Sequence, residues 1–452
     1  MYNLITTLVV IVGRLFCLII FHLPISFSAN LKTKLKQRLG FNLKKSSTAA
    51  PSFKSPIIWV HGASVGEIIS AEALIKTIKL IYPHYYFIIT SHTLTSQIVI
   101  ANRFKDFATY QYLPFDCLKL AHKFLLYYKP HLVLWLEQDF LPVFLSQIKK
   151  KNIPLYLLNA RISDKSFKHW QKFKGLTAKI LDNFTKIYPM SLDNEVKFNS
   201  LAYFTSKSSV QELPITPKKT RFLGNLKYTN LVNLDISSHF NVEINNLAKY
   251  HNLKNYLIDK KVFLALSTHA DEEKIITNLH IKLKQDFANL VTIIIPRHVI
   301  RTEKLIKELN PLNNSTFIQV YSESFLDYKS EIILIDTTGE VAAFCALASV
   351  VFIGKSLSAK YKGGHNLLEP LSLGCCVLFG PNMHNFKDLV KDCLDYNAGF
   401  MVQDEIQLHN KIKELFLSPT LLNHCKINSN FAKAKAPIIL NKYIEELKCF
   451  LN

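Results

Sequence analysis

"PIIWVHGASVGEIISAEALIKTIKLI", residues 56–81, begins with a continuous apolar run and ends with a periodic one. The length and composition of Pro56–His61 predict a buried strand. In Gly66–Ile81 the apolar residues recur every three or four positions, which predicts an amphipathic helix. The turn between them, "HGASVGE" (His61–Glu67), carries the first acidic residue of the chain. The stretch therefore predicts a strand–loop–helix unit with a lone carboxyl group, that of Glu67, at its turn.

The same alternation recurs along the whole chain. Repeated strand–helix alternation favours parallel sheets covered on both faces, so the predicted fold class is α/β with doubly wound domains. A closing segment, Ile438–Phe450, predicts a further amphipathic helix. The other predicted strands are Tyr86–Thr90, Leu132–Leu136 and Pro154–Leu158 in a first series, and Val262–Leu266, Thr292–Ile295, Ile332–Ile335, Val350–Ile353 and Val377–Phe379 in a second.

The length of the chain predicts two domains. Its 452 residues, 49% of them hydrophobic, suit two cores of roughly 200 residues each. Two doubly wound domains are expected to hold a ligand at a crevice between the carboxyl ends of their strands. The predicted boundaries are a membrane anchor at 1–28, a basic segment and linker at 29–55, an N-terminal domain at 56–220, a C-terminal domain at 221–435, and a C-terminal helix at 436–452 that packs back on the N-terminal domain.

The composition narrows the class of partner. Lys and Arg number 55 against 34 Asp and Glu, a formal net charge of +21. This excess favours anionic partners, namely membrane surfaces, nucleic acid or phosphorylated substrates. The eight cysteines form no CxxC pair and no Cys/His cluster with zinc spacing, which indicates reduced thiols in a cytosol-facing protein.

The N-terminal segment predicts a membrane anchor. Leu4–Pro24 is almost wholly apolar and matches the ~20 residues that span a bilayer. The cluster of Lys and Arg in Lys32–Lys45 should stay on the cytoplasmic side and attract anionic lipid. Arg14 near the middle costs about 3 kcal/mol on insertion scales, which leaves an interfacial helix open as the alternative. A spanning anchor would leave the remaining mass of the chain in the cytoplasm.

Polar residues cluster just after the predicted strands. Strand-end loops of α/β sheets are where such folds hold ligands, so five such loops at one edge predict a binding site. The residues concerned are Glu67 after the first strand, Glu137 and Asp139 after Leu132–Leu136, Ser267–His269 after Val262–Leu266, Pro296–His298 after Thr292–Ile295, and Asp336–Glu340 after Ile332–Ile335.

Each candidate also has a purely structural interpretation. Glu67 near a helix start either offsets the helix dipole, worth ~0.3–1 kcal/mol, or acts as a base whose pKa the dipole lowers. In "KGGHNLLEP" (Lys362–Pro370), Asn366 and Glu369 form either a capping box or a site that binds phosphate and ribose. Arg297 is either a surface residue or a ligand of phosphate or carboxylate. His269 and His298 lack a third ligand at metal spacing, so no metal site is predicted.

With these residues in hand, the chain resembles the lipid A-specific 3-deoxy-D-manno-octulosonic acid (Kdo) transferases, glycosyltransferase family 30. The resemblance runs from about Leu35 to Asp395 and rests on motifs in family order. They are "KQRLGF" (Lys36–Phe41), "HGASVGE", "LNARIS" (Leu158–Ser163), "GNLKY" (Gly224–Tyr228), "STHADEE" (Ser267–Glu273), "PRHVIR" (Pro296–Arg301), "DTTGE" (Asp336–Glu340), "GGHNLLEP" and "FGPNMHNFKD" (Phe379–Asp388).

The resemblance implies a GT-B glycosyltransferase with two Rossmann-like domains facing a central cleft. It implies inverting transfer of Kdo from CMP-Kdo to the tetra-acylated lipid A precursor, at the cytoplasmic face of the inner membrane, without a metal or other cofactor. Glu67 would be the general base, and Asp139 and Lys227 would stabilise the transition state. The residues implied to bind the donor are Pro296, Arg297, Gly339, Glu340, Val341, Asn366, Leu367, Leu368 and Glu369.

One motif departs from the family. Where the family commonly reads ExExWP, this chain reads "EQDFLP" (Glu137–Pro142), with Asp139 for the second Glu and Leu141 for Trp. Aspartate keeps the charge but shortens the reach by ~1.5 Å, one side-chain bond. The stabilising role of Asp139 then requires a closer backbone or a bridging water.

Two competing functions follow from the same features. One is another membrane-bound GT-B enzyme with a UDP-sugar donor and a lipid acceptor. The other is a basic protein that binds nucleic acid, which should interleave aromatic residues with Lys and Arg on one stripe; no such stripe is evident, so nucleic acid is not an expected partner. The motifs do not determine the number of Kdo residues transferred or the oligomeric state.

Overall fold

The computed structural model describes residues 29–41, 43, 55–202, 219–233, 244–309, 318–323, 330–358, 360 and 363–451. The chain divides into two compact units, Met1–Asn230 with Pro437–Asn452, and Leu231–Ala436. The predicted anchor at 1–28 lies outside the described residues. Within the described ranges, no helix combines the length and the apolar character needed to cross a bilayer.

The first unit is built on a six-stranded parallel sheet in the order β3-β2-β1-β4-β5-β6. Its central strands are apolar and buried along their whole length, as expected for a sheet covered on both faces. The strands are β1 (Ile57–His61), β2 (Tyr86–Ser91), β3 (Ala108–Tyr112), β4 (Leu132–Leu136), β5 (Leu155–Ala160) and β6 (Lys186–Pro189).

Helices follow each of these strands in turn. Trp59 and Trp135 from the two central strands pack edge to face with ring centroids 5.5 Å apart, at the centre of the apolar core. The helices are α1 (Ala29–Arg38), α2 (Val65–Ser70), α3 (Glu72–Ile81), α4 (Leu94–Arg103), α5 (Leu118–Tyr128), α6 (Pro142–Lys150), α7 (Asp164–Lys172), α8 (Lys174–Leu181) and α9 (Leu192–Ala202).

The helix predicted over Gly66–Ile81 is broken at Ala71. The Ser70 hydroxyl donates to the Glu67 carbonyl at 2.6 Å, so this carbonyl is engaged by a side chain. The Ala71 amide bonds instead to the carbonyl of Ile68, three residues back, at 3.1 Å. Because side-chain bonds of this kind compete with the main-chain ladder, one helix becomes two.

The second unit holds a seven-stranded parallel sheet in the order β13-β12-β11-β7-β8-β10-β9. Strands β11, β7, β8 and β10 are therefore neighbours, and their carboxyl ends lie side by side. The strands are β7 (Lys261–Thr268), β8 (Leu290–Pro296), β9 (Ile318–Val320), β10 (Ile332–Leu334), β11 (Val350–Ile353), β12 (Cys376–Phe379) and β13 (Gly399–Met401).

Helices and short 3-10 turns complete the chain. The last helix, α18 (Phe431–Leu451), contains Pro437, the residue at which the chain returns from the second unit to the first. The other helices are α10 (Ile244–Tyr256), α11 (Glu272–Asp286), α12 (Thr302–Leu309), α13 (Val341–Leu347), α14 (Leu368–Ser372), α15 (Lys387–Asp395), α16 (Glu405–Leu417) and α17 (Pro419–Asn428), with 3-10 turns at Leu226–Asn233, Val299–Arg301 and His384–Phe386.

Candidate active site

The Glu67 carboxylate is held by the turn that connects β1 to α2. Ser64 is the N-cap of the helix, and its hydroxyl accepts from the Glu67 amide at 3.4 Å. In return, the Glu67 carboxylate accepts from the Ala63 amide at 2.7 Å and from the Ser64 hydroxyl at 3.2 Å. This is a variant of the capping box, in which the side chain reaches the residue before the N-cap. These hydrogen bonds fix the position of the Glu67 carboxylate at the start of the helix.

The electrostatic prediction for Glu67 is wrong. The helix start was expected to lower its pKa, whereas burial, followed by the charge of Glu137, raises the pKa to about 7. The hydrogen bonds from Ala63 and Ser64 lower the pKa without reversing this effect, and the charge of Asp139 raises it further. Removal from water and nearby like charges both disfavour the ionised form. A carboxyl that titrates near neutrality is suited to accept a proton.

Asp139 follows β4 and is bound by two imidazoles. Its Oδ2 atom accepts from His61 Nε2 at 2.9 Å and from His92 Nε2 at 2.7 Å. Burial alone would raise the pKa of this carboxyl, but the two hydrogen bonds outweigh it and the pKa is lowered. Asp139 is therefore ionised at neutral pH. Its main-chain carbonyl also accepts from the Trp135 indole, which fixes the short loop after the strand.

A cavity of about 350 Å³ lies in the first unit beside these two carboxylates. Glu67 and Asp139, which the sequence placed in one site, both line it. One guanidinium and two aromatic rings give this cavity both charged and apolar walls, a combination that suits a phosphorylated sugar. The lining residues are Ala63, Glu67, Gln138, Asp139, Phe140, Arg161, Ile162, Ser166 and Trp170.

Lys227 also belongs to the first unit. Its ammonium lies 3.7 Å from the carboxylate of Glu137, the buried neighbour that raises the pKa of Glu67. The segment that carries Lys227 is held by Asn159 at the end of β5, whose side-chain oxygen accepts from the Leu226 amide at 3.0 Å. The predicted domain boundary at residue 220 assigned Lys227 to the C-terminal domain, whereas the first unit runs to Asn230.

In the second unit, positive charge gathers at the carboxyl ends of β11, β7 and β8. Lys355 follows β11, and Arg297 and Arg301 follow β8. His269 directly follows β7. Burial, followed by the charges of Lys355, His298 and the two arginines, lowers the pKa of His269 to about 4. His269 is therefore neutral at pH 7 and adds no charge to the cations around it, of which Arg301 is paired with the buried Glu273 carboxylate.

His365 extends this basic cluster. Its Nε2 lies 3.0 Å from that of His269, and the two rings are stacked with centroids 5.2 Å apart. Burial, then the charges of His269, Arg297 and Lys355, lower the pKa of His365 to about 3. Two neutral imidazoles among several cations form a site that favours phosphate or carboxylate.

The predicted donor-site residues lie on three neighbouring loops. Pro296 is the buried last residue of β8, and Arg297 after it is exposed. Gly339 has φ of +91°, and no atom of the described residues lies within 4 Å of where its side chain would stand, so a ligand can approach its backbone. Glu340 precedes α13 as its N-cap and accepts from the Thr337 hydroxyl, and Val341 is the first residue of that helix.

The "GGHNLLEP" loop contributes mainly its backbone. Gly363 and Gly364 have positive φ, and a side chain at either would collide with Asn385 or Met383. The Asn366 side-chain oxygen accepts from the Leu368 amide at 3.2 Å. Leu367 and Leu368 are buried, so they can offer a ligand only main-chain groups, while Glu369 lies in the first turn of α14.

Glu272 ties two of these loops together. Its carboxylate accepts from the His269 amide at 3.0 Å and from the Lys355 amide at 2.7 Å, so it joins the loop after β7 to the loop after β11. Glu273 beside it accepts from the Thr268 hydroxyl and pairs with Arg301 at 3.3 Å. Both carboxylates are buried, and both act on the positions of the basic side chains.

Sequence reasoning missed several of these groups. His92 lies two residues after the predicted strand Tyr86–Thr90, so the strand-end rule would have found it. Arg161 and His365 lie in quoted motifs, and Lys355 lies two residues after the predicted strand Val350–Ile353, but nothing in the sequence indicates which way their side chains point. Trp170 lies on an exposed helix, and only the fold brings it to the cavity.

Comparison with known proteins gives a consistent family. A family model described as 3-deoxy-D-manno-octulosonic-acid transferase matches residues 33–230. The transferase of this name from Rickettsia typhi is 31% identical over 406 residues, which cover 88% of this chain and 81% of the relative. The one from Rickettsia felis is 32% identical over 369 residues, which cover 81% of this chain and 73% of the relative.

Solved structures agree on the fold. The structure of UDP-GlcNAc 2-epimerase from Neisseria meningitidis, bound to UDP-GlcNAc, has a TM-score of 0.57 and covers 85% of this chain and 100% of the epimerase chain. Its sequence identity is 14%, so this similarity concerns architecture alone. The predicted α/β class with two parallel sheets is confirmed, and the architecture is GT-B-like.

Proposed function

Because the chain belongs to the 3-deoxy-D-manno-octulosonic acid transferase family, it is a glycosyltransferase of lipopolysaccharide biosynthesis, and we propose that Glu67 is its general base. The proposed reaction moves Kdo from CMP-Kdo to a hydroxyl of the lipid A precursor. The observation that carries the proposal is a fixed carboxyl on the wall of a cavity, with a pKa of about 7. Such a group is ionised often enough to take a proton and basic enough to hold it.

The cavity beside Glu67 is the proposed acceptor site. Arg161 supplies a guanidinium for a phosphate of the acceptor, and Phe140 and Trp170 supply apolar faces for a sugar ring. The short helix after the cavity leads to Phe173 and Leu176, whose side chains are 54% and 61% exposed. Lysines flank both residues in this part of the chain, a combination that suits an anionic lipid surface.

The basic cluster of the second unit is the proposed donor site. CMP-Kdo carries a phosphate and a sugar carboxylate, and the cluster offers Arg297, Arg301 and Lys355 with neutral histidines between them. The remaining donor contacts are carried over from the family resemblance and are part of this proposal. They are those of Pro296, Gly339, Glu340, Val341, Asn366, Leu367, Leu368 and Glu369.

In the proposed transfer, the Glu67 carboxylate takes the proton of the acceptor hydroxyl. The oxygen of that hydroxyl attacks the anomeric carbon of Kdo at the same time. The new carbon–oxygen bond forms as the bond to the phosphate oxygen breaks, so CMP leaves with the electron pair and the anomeric centre inverts. An ionised Asp139 carboxylate would stabilise the positive charge that develops at the anomeric carbon. Lys227 is proposed to balance the negative charge in the transition state.

The proposal is tested by Glu67→Gln, which keeps the size of the side chain and removes the base. Losing a general base typically costs 10²–10⁴-fold, so we expect kcat for Kdo transfer to fall at least about a hundredfold. The product is measured by mass spectrometry of the lipid precursor after incubation with CMP-Kdo. Stabilisation by CMP, measured as a shift in Tm, should match that of the wild type, since Glu67 lies outside the donor site.

The same assays separate the alternatives. Transfer by Glu67→Gln at the wild-type rate would rule out Glu67 as the base. A larger Tm shift with UDP than with CMP would instead favour a UDP-sugar donor. Gln138→Ala, on the wall of the same cavity, is the matched control and should leave CMP binding unchanged.

A further inference from the structure

Three side chains with metal-binding atoms converge at one edge of the first sheet. His61 is the last residue of β1, His92 directly follows β2, and Asp139 follows β4. These strands are adjacent and parallel in the order β2-β1-β4, so their carboxyl ends meet. Topology alone therefore brings together residues that are up to 78 positions apart in sequence.

The atoms that face one another are those that bind metals. The two Nε2 atoms and a carboxylate oxygen of Asp139 all lie within 4.8 Å of one another. Around a zinc ion, with bonds of ~2.0–2.2 Å, three such atoms stand roughly 3.3–3.5 Å apart. The two nitrogens lie 2.9 and 2.7 Å from Asp139 Oδ2, so small side-chain rotations suffice to admit an ion. Two imidazoles and one carboxylate are also a common ligand set of zinc.

The groups behind His61 fit either protonation pattern of its ring. Its Nδ1 lies 2.8 Å from the hydroxyl of Thr90, which also accepts from the Trp59 indole at 2.8 Å. Without an ion, His61 Nε2–H donates to Asp139 and Nδ1 accepts from the hydroxyl. With an ion on Nε2, Nδ1–H donates to the hydroxyl, which turns toward the carbonyl of Val60 at 3.5 Å. A hydroxyl has one proton and two lone pairs, so both patterns satisfy it.

The ring of His92 has no such fixed partner. Its Nδ1 is buried and has no hydrogen-bond partner among the described residues, whereas Nε2 bonds to Asp139. Asp139 lines the cavity of about 350 Å³, which leaves room for water or a substrate oxygen at the remaining metal positions. Glu67 and Glu137 add negative charge, while Arg38 and Lys227 oppose it. Arg161 on the wall of the same cavity is a third cation, so the arrangement of the three ligand atoms, and not the net charge, favours an ion here.

From this geometry we propose that His61, His92 and Asp139 form a binding site for a divalent transition metal of the zinc class. The site goes beyond the proposed function, because the transfer chemistry needs no metal. An ion here would occupy the Asp139 oxygen that the transferase is proposed to use. Its binding is therefore expected to inhibit Kdo transfer.

The test uses cobalt(II), whose visible absorption reports coordination by nitrogen and oxygen. Full-length protein freed of metal with a chelator is titrated with cobalt chloride, and zinc sulfate is then added to displace the cobalt. We expect one saturable cobalt per chain in the wild type. His92→Ala and Asp139→Asn should each weaken it at least about 10–100-fold, since losing even an orienting partner of a metal ligand costs that much.

Two controls separate this site from the other histidines. His424→Ala removes an exposed imidazole on α17 and should leave the titration unchanged. His269→Ala removes the contact with His365 and should also leave it unchanged. Circular dichroism shows whether each variant is folded, and Asp139→Asn, which nearly keeps the shape of the side chain, covers the case in which His92→Ala is not.

The proposal is overturned by three results. They are a wild-type titration without a one-to-one endpoint, an unchanged affinity in Asp139→Asn, and a signal that disappears with His269→Ala. The cobalt titrations do not depend on transferase activity. A result that excluded Glu67 as the base would therefore leave the proposed metal site unaffected.

Discussion

The Glu67 carboxyl accepts two hydrogen bonds at the start of a helix and still titrates near neutrality. Both contacts favour the ionised form, as does the helix dipole. Burial and the charges of Glu137 and Asp139 act in the opposite direction and prevail, which raises the pKa to about 7. The residue is thus held in place by contacts that would normally keep a carboxyl acidic, while its surroundings make it a base.

The pH dependence of transfer follows from this pKa. A base works in its deprotonated form, so below a pKa of about 7 the rate should fall with decreasing pH. We expect kcat/KM to lose about tenfold per pH unit on the acid side and to level off above pH ~7.5. The measurement is the initial rate of Kdo transfer across pH ~5.5–8.5, with fixed ionic strength.

An ordinary carboxyl at Glu67 would give a different profile. Its titration would be complete before pH ~5.5, and kcat/KM would then be flat across the range. The control is Glu137→Gln, which removes one of the charges that raise the pKa of Glu67. The acid limb of this variant should move to lower pH.

At the level of single residues, the sequence predicted which residues form the site better than it predicted their pKa values and hydrogen-bond partners. Glu67 and Asp139 were placed together because strand ends meet at one edge of a sheet. The sign of the Glu67 pKa shift was wrong, because it depends on Glu137 and on burial, and neither can be read from a helix start. The two imidazoles on Asp139 were also missed, since a hydrogen-bond partner depends on where a side chain points.

The segment that carries Lys227 depends on the last helix for its position. In α18 (Phe431–Leu451) the Tyr443 hydroxyl donates to the Gly224 carbonyl at 3.1 Å, and Ile439 packs against the same glycine. Gly224 has φ of +120°, and a side chain there would lie 2.5 Å from Ile439 Cγ1. Backbone conformation and packing both require glycine at this position.

Gly224→Ala is therefore expected to destabilise the protein. The unfavourable φ costs roughly 1–2 kcal/mol and the overlap with Ile439 about 1–3 kcal/mol. The free energy of unfolding of the first unit should fall by about 2–5 kcal/mol. It is measured by urea denaturation with tryptophan fluorescence, because all three tryptophans belong to that unit.

Gly175→Ala is the matched control. Gly175 lies in α8 (Lys174–Leu181), and a side chain there would meet no atom within 4 Å in the part of the chain that the structure describes. Alanine favours a helix over glycine by about 0.5–1 kcal/mol, so this variant should be as stable as the wild type or slightly more so. Equal stability of both variants would contradict the packing argument at Gly224.

Elements with a strong hydrophobic signal were predicted closely, and weak ones were missed. Leu132–Leu136 and Val350–Ile353 have the predicted bounds because each is a short apolar run. The strands "ATYQY" (Ala108–Tyr112) and "KIYP" (Lys186–Pro189) were not predicted. Both strands contain polar residues, and their buried positions are buried only because the neighbouring strands pair there.

Over the whole molecule, positive charge and exposed apolar residues occur together near the proposed acceptor cavity. The net charge is +21, and Phe173 and Leu176 are exposed between lysines close in sequence to Trp170, which lines the cavity. This surface suits an acceptor that is presented in a membrane.

Replacing both Phe173 and Leu176 by serine should reduce transfer to an acceptor in vesicles of anionic lipid. Losing this apolar contact is worth at least ~1.4 kcal/mol, so we expect about a tenfold lower rate. The rate on the same acceptor dispersed in detergent should stay at the wild-type value. The readout is the ratio of the two rates.

Leu80→Ser is the matched control for this experiment. Leu80 is 82% exposed on α3 (Glu72–Ile81) and does not line the cavity, so the ratio should not change. An equal loss of rate in vesicles and in detergent for the serine pair would point to damage of the cavity itself.

Among the predictions about the whole molecule, the number of domains agreed with the structure and one domain boundary did not. The number of domains followed from chain length and from the two series of strands. The segment Gly224–Asn230 was assigned to the other domain, because nothing in its sequence reveals that Asn159 and Tyr443 hold it. The membrane anchor stays a prediction from the hydropathy of 1–28.

The return of the chain to the first unit has a consequence for biosynthesis. Tyr188 hydrogen-bonds Glu446 at 2.8 Å, and Tyr156 packs on Phe450 with ring centroids 5.3 Å apart. At translation speeds of ~5–20 residues per second, the ribosome needs roughly 10–40 s to make the second unit before these partners emerge. During that interval the nascent first unit exposes an aromatic face, and chaperones that recognise such surfaces have time to engage it.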